Sequence, residues 1–221
     1  MELYKIMKNI KKYNKLYNKI KLEDIRKKYN LNNIIVLDIE TTGLLNSDYI
    51  IQIAYNIYNQ DMVCIKQVNY LINENVNKTD FFKIFSLAEI KSKGLDVKQV
   101  LTKLNQDFLR CKYVIGHNIS FDMEKIMNYY NKHKVEHGAY PLQICTMKIS
   151  KNILNMRNIK GYIKYPKLSE LYNYYYNLTA DGTLHDASYD IELTYLCFIK
   201  LVQNNCVTCC NYVDNKYVWQ I

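Results

Sequence analysis

The sequence predicts an α/β domain in which helices pack on the faces of a mixed β-sheet. Strand-like segments come first along the chain, and helical and strand-like segments alternate after them, which is the order expected for this class. The strand-like segments are 34–37, 49–58, 62–72, 113–116 and 142–146. The helical segments are 86–94, 97–110, 121–133, 147–154, 168–176 and 186–202.

Length and composition fit one folded domain with additional segments at its ends. The chain has 221 residues, and 49% of them are apolar, which is enough to build a sizeable core. Only six Gly and two Pro occur, which argues against a disordered or loop-dominated chain. We predict a basic helical arm over residues 1–31, the folded domain over 32–203 and a cysteine-containing tail over 204–221.

The strands are predicted from short apolar runs and from the turns that bound them. Residues 34–37 form a continuous apolar run, typical of a strand buried on both faces. Segments 49–58 and 62–72 flank an Asn-Gln-Asp turn at 59–61, which predicts a hairpin. The run at 113–116 ends at Gly116, where we expect the chain to leave the sheet.

The helices are predicted from apolar side chains at helical spacing. In the last helix, Ile191, Tyr195, Phe198 and Val202 line one face, and further apolar residues widen it, so we expect this helix to be well buried. Residues 3–20 show the same spacing with lysines on the other face, and a shorter helix is predicted over 22–29. In the tail we expect a cysteine-rich turn followed by a short strand or hairpin.

The net charge of +9 lies mostly in the predicted arm. Residues 1–30 hold ten basic and three acidic side chains, which leaves +2 for residues 31–221. A basic arm suits a polyanionic partner such as nucleic acid. A solvated helix coated with lysines is an equally good interpretation, and a docking helix for a protein partner is a third.

Cysteine usage and hydropathy bear on the compartment. Seven cysteines, an odd number, in a chain too large to need disulfides favour a reducing compartment, so we expect an intracellular protein of the cytoplasm or nucleus. No apolar run is long enough to span a membrane, and no signal-peptide pattern follows the start. Cys206, Cys209 and Cys210 include a Cys-x-x-Cys spacing, but a zinc site needs about four ligands and no second pair stands nearby.

Two carboxylates follow the first apolar strand. Asp38 and Glu40 are two residues apart, so on a strand they point to the same face. Two buried anions on one face are costly unless a cation neutralises them, and hard divalent cations prefer such oxygen ligands. An isolated pair of this kind would more often be two solvated acids at an exposed strand end.

Two later segments repeat this arrangement. After the strand that ends at Gly116, Asn118 is expected to cap or tie the turn, and Asp122 to lie in the first turn of a helix. The adjacent His117 is a candidate to approach the site, but a structural role is favoured. Before the last long helix, Asp186 is predicted to be the N-cap. That placement puts His185 on the preceding loop and Asp190 about one turn into the helix; histidine is the natural general base near neutral pH.

In this order the three segments resemble the motifs of the DEDD, or DnaQ-like, superfamily of 3′→5′ exonucleases. Residues 36–44 match its first motif, 116–122 its second and 185–190 its third. A histidine five residues before the last aspartate is the mark of the DEDDh branch, which includes the proofreading subunit of bacterial DNA polymerase III. The resemblance covers roughly residues 34–202 and implies a ribonuclease H-like sheet, with the first strands antiparallel and the later ones parallel.

The resemblance also implies a mechanism. Two Mg²⁺ or Mn²⁺ ions would clamp the scissile phosphate: Asp38 bridges them, Glu40 and Asp190 complete one site, and Asp122 serves the other through water. His185 would take a proton from the attacking water, and nucleoside 5′-monophosphates would be released. Substrate contacts are expected from residues matching family positions near the terminal nucleotide, namely Thr41, Thr42 and Leu44, with Asn118 as a further candidate.

The predicted substrate is nucleic acid with a free 3′ end. Single-stranded or frayed DNA, in proofreading or repair, is the first choice, and RNA is the alternative. A nucleic-acid-binding module without catalysis is disfavoured because all five catalytic positions are intact. A proofreading role would need a polymerase or other protein partner, for which the arm is a candidate surface, and no membrane association is expected.

Overall fold

The computed structural model describes residues 33–45, 47–59, 62–74, 85–180 and 186–207, together with the backbone of 209–213 and 216–220. The arm predicted over 1–31 lies outside these residues. The strands are β1 (Asn33–Thr41), β2 (Ile50–Tyr58), β3 (Cys64–Leu71), β4 (Cys111–Gly116), β5 (Leu142–Cys145), β6 (Cys209–Val213) and β7 (Lys216–Gln220). The helices are α1 (Leu87–Lys93), α2 (Val97–Phe108), α3 (Ile119–His133), α4 (Thr146–Leu154), α5 (Leu168–Tyr176) and α6 (Ala187–Gln203).

The strands form one mixed sheet in the order β3-β2-β1-β4-β5-β6-β7. The first three strands are antiparallel neighbours, β1 pairs in parallel with β4, and β4 pairs in parallel with β5. The predicted arrangement of antiparallel strands followed by parallel ones is therefore confirmed. In the tail, β6 and β7 form an antiparallel hairpin that extends the sheet beyond β5.

Strand alternation divides the core into two layers. From β1, Ile35, Leu37 and Ile39 pack with residues of α2 and α3 on one face of the sheet. Ile34 and Val36 point to the other face and pack with α6. Because Asp38 and Glu40 continue this second alternation, their side chains belong to the face that α6 covers.

Helix α6 is as buried as its sequence predicts. Ile191, Phe198 and Val202 lie against the sheet, while Leu193 and Leu196 pack with α5 in a separate cluster. Asp186 is its N-cap, with its carboxylate accepting a hydrogen bond from the Ser188 N–H at 3.0 Å. The capping prediction for this helix is confirmed.

At the start of α3, Asn118 takes the second of its two predicted roles and ties the turn. Asn118 occupies the N-cap position, but its side chain makes no capping hydrogen bond. Its backbone instead adopts the left-handed conformation, with φ of 77°, and its carbonyl accepts from the Phe121 N–H at 2.8 Å. Asparagine tolerates this conformation better than most residues, which explains its presence at the turn.

Two further observations concern the cysteines and the membrane. The cysteines whose side chains are described are free, namely Cys64, Cys111, Cys145, Cys197 and Cys206. The side chains of Cys209 and Cys210 lie outside the described part of the chain. Among the helices that are described, none has both the length and the apolar character needed to cross a bilayer.

Candidate active site

Three carboxylates meet at the end of β1. One oxygen each from Asp38, Glu40 and Asp190 lies within 4.8 Å of the others. The first two point to the same face because they alternate along the strand, and Asp190 reaches them from the first turn of α6, which covers that face. The fold thus brings together residues that are about 150 positions apart in the chain.

Asp122 approaches the same strand end from α3. Its side chain is 3% exposed, and its Oδ1 accepts a hydrogen bond from the Ile39 N–H at 3.3 Å. This contact ties the first turn of α3 to the strand segment between the two β1 carboxylates. All four predicted carboxylates therefore lie around the end of β1.

The electrostatics of this cluster are unfavourable for four anions. Burial, followed by repulsion from Asp122, Asp190 and Glu40, raises the pKa of the Asp38 carboxyl well above its ordinary value. Burial and the neighbouring acids raise the pKa of Glu40 to about 8. Burial also raises the pKa of Asp122 to about 7, although hydrogen bonds from backbone N–H groups act in the opposite direction.

The donor set fits divalent cations. Within the described residues no lysine or arginine forms an ion pair with Asp38, Glu40 or Asp122, so no described cation pairs with these three carboxylates. Carboxylate oxygens are the preferred ligands of hard divalent ions such as Mg²⁺. A cation at this position would remove both the repulsion and the cost of burial. The residues present therefore suit a divalent metal site.

The predicted base, His185, lies outside the described residues, which resume at Asp186. Asp186 contributes to the site in addition to capping α6, since its charge helps to raise the pKa of both Asp38 and Glu40. It thus lies near the carboxylates, at the point where the chain enters the helix that carries Asp190.

A buried glutamine that the sequence analysis did not identify fixes this helix start. Gln52 on β2 is fully buried and pairs with Glu40 in the β1–β2 register. Its amide donates to Asp186 Oδ1 at 3.1 Å and to Asn69 Oδ1 at 2.9 Å, and its oxygen accepts from the Ala187 N–H at 3.2 Å. A polar residue inside the otherwise apolar stretch Ile50–Ala54 was the sequence signal for it.

The loop after β1 holds the residues predicted to contact substrate. Leu44 is 82% exposed and so is accessible to a ligand. The Thr41 hydroxyl donates to the Gly43 carbonyl at 2.8 Å. Thr42 is buried, and its hydroxyl accepts from the Tyr49 N–H at 2.9 Å, which holds the loop closed. Substrate contacts by these residues and by Asn118 stay predictions.

His117 has the structural surroundings expected for it. Its Nδ1 lies 3.0 Å from Thr146 Oγ1, and its Nε2 lies 3.0 Å from the Pro166 carbonyl oxygen. Burial lowers the pKa of its imidazole to about 4, so the ring is neutral near pH 7. His117 therefore connects the end of β4 to α4 and to the segment before α5.

With this geometry established, comparisons with known proteins identify the family. The family model named RNase_T and described as Exonuclease matches residues 35–198. The chain belongs to this exonuclease family. The match lies within the domain predicted over 32–203 and contains all the predicted catalytic positions, His185 among them. A comparison with curated protein sequences finds no match.

Solved structures of E. coli exonuclease I share the fold. The complex with a dA16 oligonucleotide aligns with a TM-score of 0.62 at 17% identity, covering 78% of this chain and 41% of that one. The complex with a dT13 oligonucleotide gives 0.62 at 16%, covering 79% and 42%. A zinc-bound complex with single-stranded DNA gives 0.64 at 17%, again covering 79% and 42%. This chain thus spans about two fifths of the length of exonuclease I.

These comparisons confirm the DEDD resemblance and the ribonuclease H-like α/β fold. At such low identity the likeness to exonuclease I concerns the fold alone. The narrower resemblance to the proofreading subunit of DNA polymerase III stays a prediction.

Proposed function

We propose that this protein is a metal-dependent 3′→5′ exonuclease that releases nucleoside 5′-monophosphates from nucleic acid. The observation that carries the proposal is the carboxylate cluster of Asp38, Glu40, Asp122 and Asp190, which this member of an exonuclease family gathers at one strand end. Divalent ions bound there would neutralise the cluster and would stabilise the charge that develops on the reacting phosphate.

In this proposal the carboxylates, His185 and the residues at the start of α6 have different roles. Asp38, Glu40 and Asp190, with Asp122 beside them, would hold the cations and thereby orient the terminal phosphodiester. Bound divalent cations supply charge stabilisation to the attacking and leaving oxygens of a phosphoryl displacement. His185 would accept a proton from the attacking water. Gln52 and Asp186 would hold the start of α6, so that Asp190 and His185 keep their positions.

DNA is the proposed polymer. The structures of exonuclease I that share this fold contain DNA oligonucleotides, including dA16 and dT13. RNA is the second candidate, favoured by the ribonuclease name of the family model. A proofreading role would further require a polymerase partner, for which the basic arm at residues 1–31 is the proposed contact.

One assay tests class and polymer together. Single-stranded DNA, duplex DNA with a 3′ mismatch, and RNA, each carrying a 5′ label, are incubated with the full-length protein and Mg²⁺, Mn²⁺ or EDTA. We expect a ladder that shortens from the 3′ end with either metal and no cleavage in EDTA. Cleavage that begins at the 5′ end, or that persists in EDTA, would contradict the mechanism. The relative rates identify the polymer.

A further inference from the structure

A short exposed hairpin joins α4 to α5, and the sequence analysis assigned it no role. We call this segment, residues 156–166, the basic hairpin. The Asn158 N–H donates to the Tyr162 carbonyl at 2.9 Å, and the Lys164 N–H donates to the Met156 carbonyl at 2.8 Å. Gly161 takes a positive φ of 81° at its tip. The Asn158 side chain accepts two further backbone N–H bonds inside the turn, so the hairpin is well fixed.

The surface of the hairpin combines apolar, aromatic and basic groups. Ile159 is fully exposed, and Tyr162 is 70% exposed. Arg157, Lys160 and Lys164 lie in the hairpin and Lys167 follows it, with no acidic residue between 155 and 167. Residues 31–221 together carry only +2, so these four cations are a strong local concentration of positive charge.

Two of these four cations, Arg157 and Lys160, form no ion pair with a described carboxylate. Lys164 pairs with Glu170 at 2.5 Å. The Arg157 guanidinium donates to the Gly161 carbonyl, which positions the group and leaves its charge in place. Exposed cations beside an exposed aromatic ring are the combination that proteins use to bind single-stranded nucleic acid.

The base of the hairpin is anchored at the same ends of the strands as the carboxylates. Pro166, at its base, is buried, and its carbonyl lies 3.0 Å from His117 Nε2. His117 directly follows the end of β4 and stands five residues before Asp122 in the chain. One imidazole thus connects the base of the hairpin to the turn that leads into the active-site helix α3.

We propose that the basic hairpin binds the nucleic-acid strand on the 5′ side of the nucleotide being removed. Arg157 and Lys160 contact its phosphates, and a base stacks on Tyr162. This inference rests on the proposed exonuclease function, since it assigns the upstream part of the same substrate. A preformed hairpin loses little conformational freedom on binding, which favours affinity. Its positive charge, without any acidic residue, selects a polyanion over a protein partner.

Binding to the full-length protein tests this proposal directly. Fluorescence anisotropy with labelled 15-nucleotide DNA and RNA, in Ca²⁺ to slow cleavage, compares wild type with Lys160→Ala/Tyr162→Ala. Loss of a stacking partner weakens binding by about tenfold or more. Loss of one phosphate contact lowers the slope of log affinity against log salt by about 0.7. Tyr162→Phe retains the stacking surface, so we expect it to bind as wild type does.

The matched control removes an exposed cation and an exposed apolar side chain near the strand ends that lie away from the carboxylates. Arg110 and Leu109 precede β4 at the end remote from the carboxylates, and Leu109 is 60% exposed. Leu109→Ala/Arg110→Ala should leave strand affinity unchanged. Circular dichroism and the unfolding midpoint verify that both double variants are folded, as expected for substitutions at exposed positions.

A one-nucleotide substrate separates this proposal from the exonuclease proposal. The nitrophenyl ester of thymidine 5′-monophosphate occupies only the terminal position, so the hairpin variant should hydrolyse it at the wild-type rate. Weaker binding of 15-nucleotide strands, with this rate retained, supports the hairpin proposal, and a loss confined to DNA or RNA identifies the sugar. Unchanged affinity for both polymers overturns it. If wild type cleaves no substrate, the exonuclease proposal fails, while the binding comparison still decides the role of the hairpin.

Discussion

Two buried aspartates near opposite ends of the strands differ in how their charges are stabilised. Asp107, near the end of α2, is 2% exposed, and Asp122, in the first turn of α3, is 3% exposed. Asp107 accepts a hydrogen bond from the Tyr55 hydroxyl at 2.7 Å and pairs with Lys66 at 2.6 Å. Asp122 lies among further carboxylates, and its hydrogen bonds come from backbone N–H groups.

The difference shows that this fold can neutralise a buried acid where the acid serves the structure. At the strand ends remote from the candidate site, Lys66 forms an ion pair with Asp107 and the Tyr55 hydroxyl donates a hydrogen bond to it. At the site, burial raises the pKa values of Asp38, Glu40 and Asp122, and repulsion from neighbouring acids raises those of Asp38 and Glu40 further. Because no lysine or arginine of the described residues pairs with these three carboxylates, a cation bound from solution is the best explanation of the cluster.

The largest effect should separate these two kinds of aspartate. Asp38→Ala removes a central ligand of the proposed cations, so we expect nuclease activity to fall to background while the protein stays folded. Asp107→Asn should behave in the reverse manner, keeping the activity of the folded protein but losing about 1–3 kcal/mol of stability because its partners are left unsatisfied. Labelled-oligonucleotide cleavage and urea unfolding measure the two quantities. Full activity in Asp38→Ala would refute the proposed site.

His185 should show the next largest effect. In the proposed mechanism the carboxylates bind the cations and this histidine accepts the proton of the attacking water. His185→Ala should therefore lower kcat by about 10²–10⁴, the usual weight of a general base. The exposed His137 provides the matched control, and His137→Ala should retain activity. Equal rates for the two variants would remove His185 from the mechanism.

Gln52 should have a smaller effect that acts through the position of α6. Gln52→Ala breaks the hydrogen bonds to Asp186 and Ala187, so Asp190 loses its fixed placement. We expect kcat to fall by about 10- to 100-fold with little change in KM, as for a misplaced active-site group. Gln67→Ala, an exposed glutamine on β3, is the control.

A second substitution guards against misfolding of the Gln52 variant. Asn69 is exposed and contacts both Gln52 and Ser188, so Asn69→Ala should loosen the same network without exposing the core. We expect a milder fall in kcat than for Gln52→Ala. If kcat is unchanged in both variants, the network has no positioning role.

The smallest expected effect is a dependence of stability on pH. A carboxyl whose pKa is raised by folding holds its proton more tightly in the folded state, so stability is full below the unfolded pKa and is lost as pH rises through the folded one. With folded pKa values of about 8 for Glu40 and about 7 for Asp122, the melting temperature in EDTA should fall by a few degrees between about pH 5 and about pH 8.

Added Mg²⁺ and the substitution Asp38→Asn should each reduce this fall in melting temperature. Mg²⁺ added at the upper end of this range should restore the melting temperature, because it binds the ionised carboxylates of the folded protein. Asp38→Asn should reduce the fall in EDTA and weaken the response to Mg²⁺. Differential scanning fluorimetry across this pH range measures each case. A melting temperature in EDTA that rises with pH would contradict the inferred electrostatics.

Much of the fold was predictable because it depends on local patterns. The apolar run at 34–37, the turn residues at 59–61 and the helical spacing in α6 each report burial directly in the sequence. Of the two roles predicted for Asn118, capping by the side chain is not observed, and the residue ties the turn through its left-handed backbone and its carbonyl. Asp186, whose side chain does cap α6, was predicted correctly.

The site was predicted in part. The carboxylates stand in recognisable motifs, whereas Gln52 and the basic hairpin do not. Gln52 differs from its sequence neighbours only in being polar within an apolar stretch, and its contact with a helix more than 130 positions later depends on the folded chain. The hairpin lies between two helices in a segment whose exposure and anchoring to His117 depend on the folded chain.

By itself the sequence determined the family, the order of strands and helices, and the carboxylates, since these depend on residue type and spacing along the chain. Only the tertiary structure decided which charges are compensated. The distance from Asp107 to Lys66, the absence of such a partner beside Asp122 within the described residues, and the place of the basic hairpin are set by contacts between remote segments. Electrostatic energy depends on the distances between charges and on their burial in the folded state, and the local sequence pattern specifies neither.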